Sequence, residues 1–233
     1  MRLHKAYKNP EFLMSEEARS VRILCEYLEP ERRFRRLGIE RAVIFFGSAR
    51  ITADSPTYRD AAALAEQLAR WTQAEHRGRS RYHIVSGGGP GIMAAAHEGA
   101  ARVDRRLNIG LNISLPFEQH VNPHLETSQA LEFHYFFMRK FWFLNLARAA
   151  VIFPGGFGTL DELFELLTLT QTGKSAPMPI LLYDRAFWEE VVNFPALARR
   201  GLISAEDLSL FAYADRPDEA FARLREGLTA PAA

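Results

Sequence analysis

The chain predicts an α/β fold: a doubly wound parallel sheet, Rossmann-like, with helices on both faces and an extra N-terminal helix. Three observations carry this. Short apolar runs recur as Ala42-Val43-Ile44-Phe45-Phe46, Tyr82-His83-Ile84-Val85, Leu107 to Ile113, Ala149-Ala150-Val151-Ile152-Phe153 and Ile180-Leu181-Leu182-Tyr183. They are continuous rather than alternating, as in strands buried on both faces. Stretches with helical spacing lie between them, such as Ala61, Leu64, Ala65, Leu68 and Trp71, and that alternation builds parallel sheets. Finally, two of the runs end on glycine-rich turns that lead straight into helix-like sequence.

In chain order, Ser15 to Leu37 carries Val21, Leu24, Cys25 and Leu28 at i, i+3, i+4 and i+7, an amphipathic helix with one stripe packed on a core. The first strand ends at Gly47-Ser48. The second ends at Ser86-Gly87-Gly88-Gly89-Pro90-Gly91-Ile92-Met93, with a helix expected from Pro90, a residue suited to a first helical position, to about Val103. The fourth ends at Pro154-Gly155-Gly156-Phe157-Gly158-Thr159-Leu160-Asp161-Glu162. Leu210 to Tyr213 reads as a short sixth strand. The piece from Pro116 to about His134 reads as irregular and too long for an ordinary connection, and such loops are often functional. One Rossmann-like domain is expected over residues 1–233, with 1–40 as a helical extension.

At 233 residues a domain buries roughly 70–75% of the surface its unfolded chain exposes and needs no staples. Cys25 is the one cysteine, which rules out a disulfide framework and disfavours a cysteine-based zinc site. With 29 basic and 28 acidic residues the formal charge is +1. Net charge therefore points to neither nucleic acid nor an anionic membrane. Arg32, Arg33, Arg35 and Arg36 cluster, but Glu29, Glu31 and Glu40 surround them, as on a solvated helix face. No apolar h-region follows Met1, and no run reaches the ~18 residues of a membrane span. The expectation is a cytoplasmic protein.

Several familiar signatures fail. Gly173-Lys174-Ser175 ends like a P-loop, but Thr168 stands where the upstream glycine belongs. His97-Glu98 lacks the second histidine of a zinc helix, and Pro123 interrupts the His120/His124 spacing. No carboxylate or histidine cluster is spaced for a metal. Gly89-Pro90-Gly91-Ile92-Met93-Ala94 fits G-x-G-x-x-A, but the next strand ends in Asn112-Ile113-Ser114-Leu115-Pro116, without an acid for a ribose hydroxyl. Hydride transfer is disfavoured.

Glycine turns between strand and helix let backbone N–H groups converge on an anion at the positive end of the helix dipole. Three consecutive glycines at 87–89 exceed what a turn needs. The second loop has a structural alternative: Thr159-Leu160-Asp161-Glu162 fits a capping box, with Thr159 as N-cap and Glu162 at N3. Residue chemistry alone leaves helix capping and catalysis equally open for Glu162. Further along, Phe136-Phe137-Met138-Arg139-Lys140-Phe141-Trp142-Phe143-Leu144 is apolar except for two adjacent cations. These must reach water, a carboxylate or a bound anion. Its aromatic surface also suggests self-association.

Pro154 to Glu162 resembles the P-G-G-x-G-T-x-x-E signature of the LOG ("lonely guy") family, nucleotide phosphoribohydrolases that activate cytokinins and were long mislabelled lysine decarboxylases. The likeness extends through Phe46-Gly47-Ser48-Ala49-Arg50, Ser86 to Met93 and Met138-Arg139-Lys140, across about Ala42 to Tyr183. Phe137 where smaller members have His, together with the long N-terminal helix and Glu118 to Pro123, resembles the larger subgroup. The resemblance implies cleavage of the N-glycosidic bond of an adenosine 5′-monophosphate, often N6-modified, to free base and ribose 5-phosphate. Arg139 and Glu162 match the catalytic pair. Gly47, Ser48, Ser86, Gly87, Gly88, Gly89, Gly91, Met93, Lys140, Gly155, Gly156, Gly158 and Thr159 match substrate-binding positions. Among these, the amides of Gly156, Gly158 and Thr159 would hold the phosphate, and Gly87 to Gly91 would line the ribose. No cofactor or metal is implied; a homodimer or higher homo-oligomer is. The competing readings are a broader purine or pyrimidine nucleotide nucleosidase, a non-catalytic nucleotide-binding module, and a lysine decarboxylase. The last would need pyridoxal phosphate and a Schiff-base lysine, and no lysine is convincingly placed for one.

Overall fold

The structure, a computed structural model, describes residues 5–115 and 121–229. Its centre is a seven-stranded sheet with every neighbouring pair parallel, as the continuous apolar runs require. The strands are β1 Arg41–Phe46, β2 Tyr82–Ser86, β3 Asn108–Ile113, β4 Ala130–Phe133, β5 Ala147–Ile152, β6 Ile180–Tyr183 and β7 Ala212–Ala214, in the order β4-β3-β2-β1-β5-β6-β7. The helices are α1 Pro10–Met14, α2 Arg19–Leu37, α3 Pro56–Glu75, α4 Ile92–Asp104, α5 Phe136–Leu146, α6 Phe157–Gln171, α7 Arg185–Val191, α8 Phe194–Arg199 and α9 Pro217–Thr229.

Side chains alternate along each strand between two cores. Val43, Phe45, Ile84 and Val151 face a layer of α3, α4 and α9. Ile44, Phe46, Val85 and Ile152 face α2, α5, α6 and the short helices after β6. Ala42 to Phe45 are wholly buried, and each large apolar side chain so buried contributes roughly 1.5–3 kcal/mol. Gly99 of α4 lies so close to α3 that a Cβ there would run into the backbone of Ala62. No helix among the described residues is long and apolar enough to cross a membrane.

The chain winds from β1 outward to β4, then returns so that β5 lies on the other side of β1. Strand order reverses there, and in open α/β sheets ligands bind at the carboxyl ends of the strands beside such a reversal. The two loops leaving this point are joined: Phe153 N–H donates to the Phe46 carbonyl at 2.8 Å, and Ser48 N–H to that of Pro154 at 3.0 Å.

Several expectations need correction. The piece expected to be irregular contains a 3-10 turn, Thr127–Gln129, and the strand β4. Residues 116–120 of it, including His120, lie outside the described residues. The helix expected from Pro90 starts at Ile92, because Gly91 takes a left-handed φ of 66° at the N-cap and its missing Cβ makes room for the backbone of Ser48 and Ala49. The last strand is Ala212–Ala214 rather than one from Leu210. In α2 the stripe of Val21, Leu24, Cys25 and Leu28 does not enter a core: Leu24 is 54% exposed and Leu28 49%. The helix is instead anchored by the opposite face, through Pro30 and Phe34. The arginine cluster is held by i,i+4 pairs, Arg33 with Glu29 and Arg35 with Glu31.

Candidate active site

A cleft of about 760 Å³ opens at the strand reversal. Its floor is Gly47 and Ser48 after β1 and Gly87 after β2, with Met93 from the first turn of α4. Ser86 lies beneath them, its hydroxyl donating to the Phe45 carbonyl at 2.6 Å. The facing wall is the loop Gly155, Gly156, Gly158 and Thr159, with Arg139 of α5 and Glu162 of α6 set into it.

The glycines of that loop differ in what they serve. A Cβ on Gly155 would collide with the Thr159 side chain, so the turn itself excludes one. At Gly156 and Gly158 a Cβ would meet nothing within 4 Å, and neither has a positive φ. Neither local packing nor backbone conformation demands glycine at these two positions.

The capping box is not formed. Helix α6 starts at Phe157 with Gly156 as N-cap and no side-chain cap, which puts Thr159 in the first turn and Glu162 beyond it. Gly156 has no side chain, so the usual signal for a helix start is missing there, while Thr159 and Glu162 carry it three residues too late. The Thr159 N–H donates to the Gly156 carbonyl, so the first-turn amides of Phe157 and Gly158 are the ones left without an intrahelical acceptor.

Glu162 is buried, with 5% of its surface exposed. Burial pushes its carboxyl up to about 7, against the opposing pull of Arg139 and Lys140. Arg139 Nη2 stands 3.7 Å from Glu162 Oε1, an ion pair too long to be a hydrogen bond, so each group keeps capacity for a third partner. Burial also lowers the pKa of the Arg139 guanidinium, with Glu162 and Asp161 working against that. The guanidinium lies over the Phe136 ring at 5.1 Å and that of Phe143 at 5.8 Å. Its Nε, buried, finds no acceptor.

Gly88, Gly89, Gly91 and Lys140 do not line the cleft. Lys140 Nζ is held between Asp161 at 2.9 Å and Glu165 at 2.8 Å, tying α5 to α6 on either side of Glu162. Gly88 needs its φ of 78°, with the Asn112 side chain where a Cβ would stand. The carbonyls of Gly88 and Gly89 accept from the Asn122 side-chain amide at 3.0 and 3.2 Å. The same amide lies 3.0 Å from His97 Nδ1, and His97 Nε2 lies 3.1 Å from the Ile109 carbonyl. A carbonyl can only accept, so Nε2 carries the proton and Nδ1 accepts from Asn122. Buried His97 thus braces the first glycine loop from behind.

This arrangement requires a neutral ring. Burial lowers both His97 and His83 to about 4, so between about pH 4 and 6.5 the unfolded chain binds more protons than the folded one. Their contribution is complete above pH 6.5 and is lost as pH falls through about 4. Urea unfolding is expected to show stability declining over that window, and a less steep decline in His97→Gln. A decline equally steep in the variant would remove His97 as a cause.

The cleft also has walls beyond the residues named from the sequence. Arg50, Phe46, Phe136 and Phe143 line it, as do Phe187 and Val191 of α7. The first four lie in or beside segments singled out by sequence. Phe187 and Val191 follow β6, where nothing signals a site.

The comparisons agree with this architecture. The crystal structure of TM1055, a structural-genomics target, superposes with a TM-score of 0.54 at 22% identity, over 80% of this chain and 99% of that one; it supports the fold alone. Two proteins of Oryza sativa subsp. japonica are each 28% identical. One is described as a probable cytokinin riboside 5'-monophosphate phosphoribohydrolase, LOG4, over 61% of this chain and 62% of its own length. The other is the cytokinin riboside 5'-monophosphate phosphoribohydrolase LOG, over 74% of this chain and 67% of its own. The match thus spans about two thirds of each relative. The family model described as "Possible lysine decarboxylase" matches residues 93–224, more than half of the chain, including α5, the second glycine loop and Glu162. The chain belongs to that family, the LOG family.

Proposed function

We propose that the chain hydrolyses the N-glycosidic bond of a nucleoside 5′-monophosphate, an adenosine 5′-monophosphate with or without an N6 substituent being the first candidate, to free base and ribose 5-phosphate. The observation that carries this reading is the loosely joined pair of partly buried Arg139 and buried Glu162, beside a helix N-terminus whose two unexplained glycines leave room for a ligand. The 5′-phosphate would lie against the start of α6, where uncompensated amides and the helix dipole favour an anion. That would bring C1′ toward Glu162. As the bond from C1′ to the base nitrogen breaks, its electrons leave with the base and positive charge builds on the sugar, as in glycoside hydrolysis. Ionised Glu162 would stabilise that charge and take a proton from the water that attacks C1′, while the base nitrogen gains one. Arg139 would favour the ionised form of Glu162 and contact the phosphate or the departing base.

The family description as a lysine decarboxylase finds less support. Among the described residues no lysine lines the cleft, and Lys140, the nearest in sequence to Arg139, is committed to two carboxylates. A broader nucleotide nucleosidase is the second reading. It is favoured by the rings of Phe136 and Phe187 in the cleft lining, which can stack on any base without reading its edge. Incubation with a panel of purine and pyrimidine nucleoside monophosphates, assayed for free base and ribose 5-phosphate, tests both. Release from none of them would overturn the hydrolase.

The same reading includes a homodimer or larger assembly. Phe136 and Phe137 of α5 are 52% and 50% exposed, and the neglected stripe of α2 lies on the helix packed against it. Exposed apolar residues on two packed helices are the kind of surface that marks an interface. Light scattering at micromolar concentration is expected to give at least twice the 26.4 kDa chain mass; a monomer would refute the assembly.

A further inference from the structure

Helix α5, which carries Arg139, has no cap of its own: Tyr135 stands at its N-cap without a side-chain hydrogen bond. The N-terminal extension instead supplies an acceptor for the two amides that lead into the helix. Glu26 of α2 takes the His134 N–H on Oε1 at 2.7 Å and the Tyr135 N–H on Oε2 at 3.2 Å, while its main-chain carbonyl accepts from Trp142 Nε1 at 2.9 Å. One residue therefore grips α5 at its start and again near its middle, on either side of Arg139. Its neighbours reinforce the grip. Tyr27 packs on Phe141 and Trp142, and Phe34 meets Trp142 edge-on. A carboxylate at a helix N-terminus is also favoured by the dipole.

We propose that Glu26 is a positioning residue for the site: it sets the placement of α5, and through it the distance from Arg139 to Glu162. Glu26 is not among the residues that line the cleft, so it acts on the site through the helix. The claim rests on the proposed function in naming Arg139 and Glu162 as the reacting pair. The geometry it describes can be read without any turnover.

The reporter is Glu162 itself. The charged groups bearing on it are Arg139 and Lys140 from α5 and Asp161 and Glu165 from its own helix. Lys140 is fixed by its two carboxylates, so Arg139 is the cation that a shift of α5 would move away. An opposite charge within ~4–6 Å lowers a carboxyl pKa by roughly 1–3 units, and withdrawing it in part should raise Glu162 by roughly half a unit or more. Carbon-13 NMR titration of the labelled Glu162 carboxyl is to be compared in wild type, Glu26→Ala and Glu26→Gln, assigned by its absence from Glu162→Gln. Leu224→Ala, which loosens α9 in the other helix layer, serves as the stability control. The expected result is an upward shift in Glu26→Ala, a smaller one in Glu26→Gln, whose amide oxygen can still accept, and none in Leu224→Ala. If Glu26→Ala does not fold, Glu26→Gln carries the comparison. An unmoved or lowered titration, or an equal shift in Leu224→Ala, would overturn the positioning role. Failure of every nucleotide to be cleaved would instead overturn the reaction and leave the titration result intact.

Discussion

Glu162→Gln is expected to lose roughly 10²–10⁴ in turnover, the usual cost of removing a placed acid–base group, and yet to melt a few degrees higher than the wild type. Both effects have one cause. Burial holds Glu162 at about 7 rather than 4.5, so above pH 4.5 the folded state binds a proton that the unfolded chain has released. Stability falls as pH rises through about 7. At pH 8 keeping this carboxylate ionised costs about 3 kcal/mol. Glutamine removes that cost, though Arg139 loses a counter-charge and returns part of the gain. Since no capping box exists, the start of α6 is not touched. The wild-type kcat/KM should rise with pH through about 7 as Glu162 ionises in the free enzyme. Near-normal turnover in the variant would return Glu162 to a structural role. A lower melting temperature would mean that its charge stabilises the fold.

The second large effect concerns the substrate's phosphate. Adenosine 5′-monophosphate is expected to be cleaved with a kcat/KM far above that of adenosine, by roughly two orders of magnitude or more, as for two charge-assisted hydrogen bonds of about 1.5–3 kcal/mol each. Some of the loss should fall on kcat, because binding energy at a remote group also holds C1′ against Glu162. Gly156→Val offers a check within the protein. Its backbone is extended and its Cβ meets nothing, so the fold should tolerate the side chain while the phosphate does not. Equal constants for nucleotide and nucleoside would remove the phosphate from the start of α6, and with it most of the case for this reaction.

The parallel sheet was legible because its inner strands are unbroken apolar runs, which leave few alternatives. Strand β4 was not. Ala130–Phe133 is short, lies at the sheet edge and exposes Glu132, so it lacks the signal that marked the others. The α2 stripe misled for a related reason. Helical spacing shows that a face is apolar, but not whether the same chain covers it. At the site, Arg139, Glu162 and the glycine loops stood in recognisable local patterns. Phe187 and Val191 reach the cleft only because α7 folds back over the end of the sheet, a placement no local spacing encodes. Likewise Glu26 lies far from Tyr135 in sequence, and nothing in the helix around it announces the contact.

The pairing of Phe45 with Val151 at the reversal of strand order has a kinetic consequence. It closes the longest loop within the sheet, and the entropy of that closure must be met before any burial repays it. The stretch up to β4 holds the floor of the cleft without Glu162, and the stretch from β5 onward holds Glu162 without the floor. A chain still emerging from the ribosome therefore has no cleft to fill, whatever local structure it has gained. A nucleotide that bridged floor and wall would bind only the closed sheet, so it would stabilise the joined halves by RT ln(1 + [L]/Kd), more as its concentration rises.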